Sequence, residues 1–483
     1  MNIICKVMDM EKTEETELKF HGGPLIGFLP TLIYIVLAIV LAFQFDYYSI
    51  NAVAYGGSIG LILISFLAKD QQEYWNALST SLKSHISNFV LFLFLGIFIV
   101  FLTQGDLGGG MIWLGNRLGL QGGGFVVLSF LASALVTTGT GAPLMGLLTT
   151  LPLFYPAGIA LGADHVILAG AILSGCFFGD HISPSSQVTI VSSGTQENSE
   201  TGRKAEPTTV IKNRMIYSIG AAVISAIAFF FLGSSREGIG DESIIQEMSN
   251  GTGLLMLIAL GIVLFVAFKT KNVVFALVLG IVSAAIIGLV SGVYSFQDFL
   301  YYEAETGEMA GLIPDGIFNL AAFLISLIFL YMMIELMKMS GAISVVSNWL
   351  SKFSFLQKPM GVELVITLVV LLLTIMLSGM VLPSILIINS LMDDLGEKAN
   401  LSPERRTNIM ILASSSIGAI IPISSVFVNG MVGNISTLQN QYSFIQQINP
   451  FSAFFSSFYN WLMLAVLLIW IFTGLNRDPN EDK

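Results

Sequence analysis

Long uncharged apolar runs constrain this chain more than any other feature. Residues 24–43 read PLIGFLPTLIYIVLAIVLAF and residues 460–475 read NWLMLAVLLIWIFTGL; neither run holds a charged side chain. About 20 consecutive apolar residues span a bilayer as an α-helix, whereas a transmembrane β-barrel shows short segments of alternating polarity. Such runs recur along the 483 residues, of which 54% are hydrophobic and only 11% charged, with a mean hydropathy of +0.80. No single water-soluble core buries that much apolar surface. The reading is an all-α polytopic membrane protein, with about 11–13 membrane segments at that span length.

Composition also removes several functional classes. The net charge is −11 and no basic cluster is large enough to track a phosphate backbone, so no nucleic-acid partner is expected. Residues 1–23 carry five acidic side chains, unlike the basic start of a signal peptide, so the first span is expected to be retained. Cys5 and Cys176 lie far apart and make neither a disulfide framework nor a zinc site. No glycine-rich nucleotide motif follows a strand pattern, which leaves ATP-driven pumping and organic cofactors without support. No nucleophile–base pair suggests an enzyme. The expected partners are the bilayer and a small ion or solute. A homodimer is compatible with the large apolar surface, which looks the same to lipid as to a second copy.

Lysine and arginine set the orientation, because cytoplasmic loops are enriched in them. Lys6, Lys12 and Lys19 precede the first span, Lys69 and Lys83 follow the second, and Arg203, Lys204, Lys212 and Arg214 cluster within 197–214. Lys269 with Lys271, then Lys338, Lys352 and Lys358, then Lys398, Arg405 and Arg406 mark later basic segments. Between them, 44–50 and 429–452 carry no base, and 295–311 carries only acids. The alternation places both termini in the cytoplasm of a cell-membrane protein. It needs an odd number of crossings before residue 234. The predicted layout is a tail at 1–23, a first transmembrane repeat at 24–233, an extracytoplasmic linker at 234–251, a second repeat at 252–475 and a tail at 476–483.

Each half contains two polar interruptions. They are TTGTGAP (137–143) and GDHISPSSQV (179–188) in the first, and LSGMVLP (377–383) and IGAIIPISSV (417–426) in the second. Pro143 and Pro184 are 41 positions apart; Pro383 and Pro422 are 39 apart. Matched breaks with odd crossings imply inverted-topology repeats, and Gly/Pro-interrupted helices at corresponding places point to a midplane binding site.

The breaks are rich in oxygen ligands. Asp180, the only carboxylate in any of them, is the candidate cation- and proton-binding residue, with Ser183, Ser185, Ser186, Gln187 and Thr189 around it. Charging an unpaired aspartate at a helix centre costs about 2.5–3.5 kcal/mol on insertion scales. A proton or a cation removes that cost, so Asp180 is also the expected Na+ ligand. The structural alternative is that Asp180 caps a helix entering at Ile182. Candidate substrate-binding residues are Thr137, Thr138, Thr140 and His181, and from the second half Ser378, Ser414, Ser415, Ser416, Ser424, Ser425 and Asn429. His181 could relay protons or simply face a vestibule. Residues 71–85 (QQEYWNALSTSLKSH) suit an interfacial amphipathic helix, Asp164 a helix cap, and Asp393 with Asp394 a solvated face.

The stretch ILSGCFFGDHISPSSQVT (172–189) resembles the signature of the NhaC-type Na+/H+ antiporter family, and TTGTGAPLMG (137–146) resembles its upstream motif. Gly179, Asp180, His181, Ser183, Pro184, Ser186 and Thr189 fit the pattern. Gln187 stands where that family carries a second aspartate, and Val188 where it carries a threonine. Its second-half acidic pair falls on Ile411 and Leu412. The resemblance implies secondary transport with Na+ and H+ as transported or coupling ions, on a fold with re-entrant hairpins or unwound helices. The leading functional reading is Na+/H+ antiport with Asp180 as the shared carboxylate. The alternatives are a Na+- or H+-coupled transporter of a small organic acid or amino acid, and a non-transporting, sensor-like relative.

Overall fold

A computed structural model describes residues 18–199, 201–234, 242–304, 307–350 and 358–477. Most of the N-terminal tail with Cys5, Lys6 and Lys12, residues 235–241 of the expected linker with Arg236, Lys352, and residues 478–483 of the final tail with Lys483 lie outside the described residues. Among the described residues, ten helices are long and apolar enough to cross a membrane. They are eleven if Pro450–Ser456 and Phe458–Thr473, bent by 55°, count as one span. The protein is an all-α polytopic membrane protein. Its only strands among the described residues form two small antiparallel hairpins, Glu197–Asn198 with Arg203–Lys204 and Tyr301–Glu303 with Glu308–Ala310.

The helices of residues 24–232 and those of residues 251–473 follow one another in a similar order, while the two hairpins fall at different places. Each opens on a pair of packed apolar helices: Leu29–Phe45 with Asn51–Ser65, and Met256–Thr270 with Val273–Ser291. Close approach in the first pair is permitted by glycine. A Cβ on Gly56 would lie 2.5 Å from the Tyr34 Cα, and one on Gly60 2.7 Å from the Pro30 Cα. Small residues let membrane helices meet backbone to backbone. Next come a short helix and a long apolar one: Gln71–Ser84 then Ile86–Gln104, and Leu312–Asn319 then Ala321–Met339. Asp70 caps the first short helix by accepting from the Glu73 N–H at 2.8 Å, and that helix buries Tyr74, Leu78 and Ser81.

Packing between the halves is reciprocal. Asn51–Ser65 and Gln71–Ser84 lie on Ala321–Met339 of the second half; Val273–Ser291 and Leu312–Asn319 lie on Ile86–Gln104 of the first. These helices frame the more polar ones. The 18-residue window of Pro143–Ala160 is 94% buried, against 28% for Pro207–Leu232 and Val273–Ser291. A helix that sheds lipid contact on every side can carry the prolines and hydroxyls that lipid would exclude, and this one holds Pro152, Pro156, Thr149 and Thr150.

One expectation about charge is corrected in part here. Arg405 and Arg406 are buried: Arg405 pairs with the fully buried Glu363, and Arg406 with Asp393 at 2.5 Å. Asp393 is therefore half-buried, paired to a buried arginine, while Asp394 is exposed as a solvated face requires. Asp164 does cap the helix His165–Ile182, its Oδ1 accepting from the Val166 and Ile167 N–H groups at 3.0 Å each.

Candidate functional site

All four polar interruptions are breaks in helices. Gly123–Thr140 stops at Gly141, whose φ of 66° is left-handed and whose N–H reaches the Thr137 carbonyl at 2.7 Å; Ala142 is extended, and Pro143 starts the next helix. His165–Ile182 stops at Ser183. Ser186 then caps Gln187–Gly194, accepting from the Thr189 N–H at 3.1 Å. In the second half, Pro359–Met376 ends before Ser378 (φ 57°) and Gly379 (φ 82°), and Val381–Lys398 follows. Pro403–Ser415 gives way to a 3-10 turn at Ile417–Ile420, and Ser425 caps Val426–Gln441 by accepting from the Phe427 and Val428 N–H groups.

The breaks of each half are tied to one another by the same kind of bond. The Gln187 N–H donates to the Gly141 carbonyl at 3.2 Å, and the Val426 N–H donates to the Ser378 carbonyl at 2.7 Å. Ser183 Oγ adds a bond to the Thr138 carbonyl at 2.7 Å, and Thr138 Oγ1 one to the Gly179 carbonyl at 3.2 Å. Paired unwound segments in a membrane leave backbone groups that only protein or water can satisfy. Gly141 is indispensable to this contact. A Cβ there would sit 2.0 Å from the Ser185 carbonyl oxygen, in addition to the strain of about 1–2 kcal/mol for a left-handed L-residue. Gly292 is equally left-handed (φ 74°) but faces open space. Gly141→Ala is expected to lower the thermal midpoint of the detergent-solubilised protein well below that of Gly292→Ala. Equal shifts would refute the close contact.

Around the break at 179–188 lies a buried polar cluster drawn from both halves. His181 is fully buried; its Nδ1 meets the Tyr459 hydroxyl at 2.8 Å and its Nε2 the Ser415 Oγ at 2.7 Å. Asn460 Nδ2 donates to the Ser415 carbonyl at 2.9 Å. Arg214, on Pro207–Leu232, is also fully buried. Its Nε donates to the His181 carbonyl at 2.8 Å, its Nη2 to Thr189 Oγ1 at 2.7 Å and its Nη1 to Asn408 Oδ1 at 3.5 Å. Thr189 Oγ1 in turn donates to Ser186 Oγ at 3.0 Å. Asp180 is 1% exposed, and its Oδ1 has no hydrogen-bond partner.

The candidate residues therefore divide. Asp180, His181, Ser183, Ser186, Thr189 and Ser415 come together in this cluster. Ser378 and Ser424 meet a different residue: Ser378 Oγ donates to the Tyr34 hydroxyl, which donates to the Ser424 carbonyl, both at 3.0 Å. Asn429 lies one turn beyond Ser425, buried, with Oδ1 unpartnered. Thr140, Ser414 and Ser416 spend their hydroxyls on carbonyls of their own helices. Thr137 Oγ1 is buried without a partner, and Ser185 is half-buried. Two expectations fail. Gln187 is exposed, so only its backbone joins the site. Asp180 lies in the last turn of its helix, so it caps no helix start; Ser186 holds that role for the segment that follows.

Arg214, Asn408, Tyr459, Asn460 and Tyr34 escaped the sequence reading. Arg214 was grouped with the cytoplasmic bases. The signal that could have found it is its place seven residues inside the apolar helix that starts at Pro207, since an ionisable residue within a span is a functional candidate by default.

No family model matches the chain. No curated protein matches it either. Two solved transporter structures align with it over most of their length. The YdaH transporter of Alcanivorax borkumensis is 16% identical over 93% of this chain and 99% of that one, with a TM-score of 0.45. MtrF of Neisseria gonorrhoeae, described as illuminating a class of antimetabolite efflux pumps, is 13% identical over 80% and 82%, with a TM-score of 0.37. Both are too distant to assign residues, cargo or coupling ion.

Proposed function

We propose that this chain is a secondary active transporter of two inverted-topology repeats, in which Asp180 carries the coupling proton. The observation that carries this reading is the Asp180 Oδ1. Among the described residues it is the one carboxylate oxygen that is buried without a hydrogen-bond partner, and it lies beside paired helix breaks. A buried charge on an oxygen without a hydrogen bond is costly, and a proton removes the cost. Side chains from both halves meet at the cluster, through His181 with Ser415 and Tyr459. Rocking of one half against the other would then change which side of the membrane Asp180 faces.

Two couplings fit this site. The NhaC-type resemblance favours Na+/H+ antiport on the shared carboxylate. The buried Arg214 guanidinium favours the alternative, proton-coupled movement of a small organic acid or amino acid. The test is a flux measurement in liposomes holding the purified protein and a lumenal pH dye. Sodium chloride, amino acids and small carboxylates are added outside one at a time. At least one is expected to drive a saturable proton flux absent from protein-free liposomes. Silence across the whole panel, from protein that retains its cooperative thermal transition, would count against transport.

A further inference from the structure

We propose that Arg214 is a tethered cation that occupies the place a sodium ion would take beside Asp180, so that this site exchanges protons and is indifferent to Na+. The inference rests on the reading of Asp180 as the proton carrier.

The guanidinium already holds two of the oxygens that a Na+ ion here would use. A hard cation is bound by a shell of oxygen ligands. The neighbouring oxygens at the end of His165–Ile182 are the His181 carbonyl and, past the break, Thr189 Oγ1. Arg214 donates to both, at 2.8 Å and 2.7 Å. A helix C-terminus favours positive charge through its free carbonyls, and Arg214 puts its charge on one of them. That charge is permanent, because a guanidinium stays protonated in proteins.

Arg214 has neutral hydrogen-bond acceptors only, and none of the ion pairs among the described residues includes it. This is the arrangement suited to a protonated Asp180. On loss of the proton, the carboxylate finds a resident cation already in the cluster and needs none from solution. The titratable and charged groups around the pair are His181, on the same helix as Asp180, and Tyr459 on Phe458–Thr473. Thr138, Asn408 and Ser415, from the other packed helices, are neutral.

The second half supports the pairing by lacking both members. Its break at 417–426 has no acid, and Phe458–Thr473, which occupies the place of Pro207–Leu232 in the helix order, has no base. At these corresponding positions the carboxylate and the guanidinium are present together in one half and absent together in the other.

The test is infrared titration of the protonated carboxyl band of the full-length purified protein, in sodium chloride and in choline chloride. The wild-type band is expected to titrate at the same pH in both salts and to vanish in Asp180→Asn. A band that survives Asp180→Asn refutes the proton-carrier reading itself. A band that vanishes in Asp180→Asn but whose midpoint falls in sodium refutes the tethered cation alone. In Arg214→Ser the space opens, and simple competition then moves the midpoint down by about one pH unit per tenfold rise in sodium. Arg214→Lys keeps the charge and is expected to stay indifferent to sodium. A folded Arg214→Ser that still ignores sodium overturns the proposal. If that variant does not fold, the wild-type titration in the two salts decides alone.

Discussion

Asp180→Asn is expected to reduce proton-coupled flux in liposomes to the protein-free background while leaving the fold intact. Asparagine has the shape of a protonated aspartate but cannot release a proton, so the carrier is locked in one of its two states. The substitution removes no hydrogen bond from Oδ1, which has none to lose. Stability should therefore change by no more than about 1 kcal/mol, well below what a disrupted core would show. Together, lost flux and retained stability separate a coupling role from a structural one. Flux of wild-type size with an unchanged pH profile would move the proton site away from Asp180.

The second large effect is on stability. Glu363→Gln is expected to cost about 3–5 kcal/mol, the range for breaking a buried ion pair from one side. Glu363 is fully buried between two arginines: Oε1 accepts from Arg405 Nε at 2.8 Å and Oε2 from Arg477 Nη2 at 2.5 Å. Arg405 also donates to the Trp470 and Leu475 carbonyls, at 3.0 Å and 2.9 Å, and lies 4.9 Å from the centre of the Trp470 ring. One carboxylate thus joins Pro359–Met376, Pro403–Ser415 and the end of Phe458–Thr473. Neutralising it leaves Arg405 as a buried charge without a counter-ion. Because the residues act as a unit, Glu363→Leu combined with Arg405→Met should cost less than the sum of the two single changes. Thermal unfolding of the solubilised protein measures all three. A Glu363→Gln midpoint within a degree or so of wild type would show that water reaches this site.

The polar breaks were legible because they violate what lipid permits. Hydroxyls, a proline and a carboxylate directly after an apolar lead-in, at Gly179 to Thr189, have few explanations in a membrane helix, and the chain does unwind there. Pro143 and Ser186 mark helix starts with their own chemistry, so those boundaries could be read locally. Gln187 could not be placed this way. Its side chain is exposed while its N–H meets the Gly141 carbonyl, a contact between segments 46 residues apart in sequence. The burial of Arg405 and Arg406 was out of local reach for a related reason. A basic pair between spans reads as a loop, and nothing local reveals that Glu363 and Asp393 lie close enough to bury it.

The sequence by itself determined that the chain lies in a membrane, where its helices break and which carboxylate is placed at a break. These follow from the cost of polar groups in lipid, which acts on each segment alone. Tertiary structure decided which side chains complete the site. Arg214, Tyr459 and Asn408 reach the Asp180 region from helices distant in the chain, and Tyr34 crosses the molecule to bridge Ser378 and Ser424. Their hydrogen bonds depend on how helices pack against one another, and no local pattern of residues encodes that.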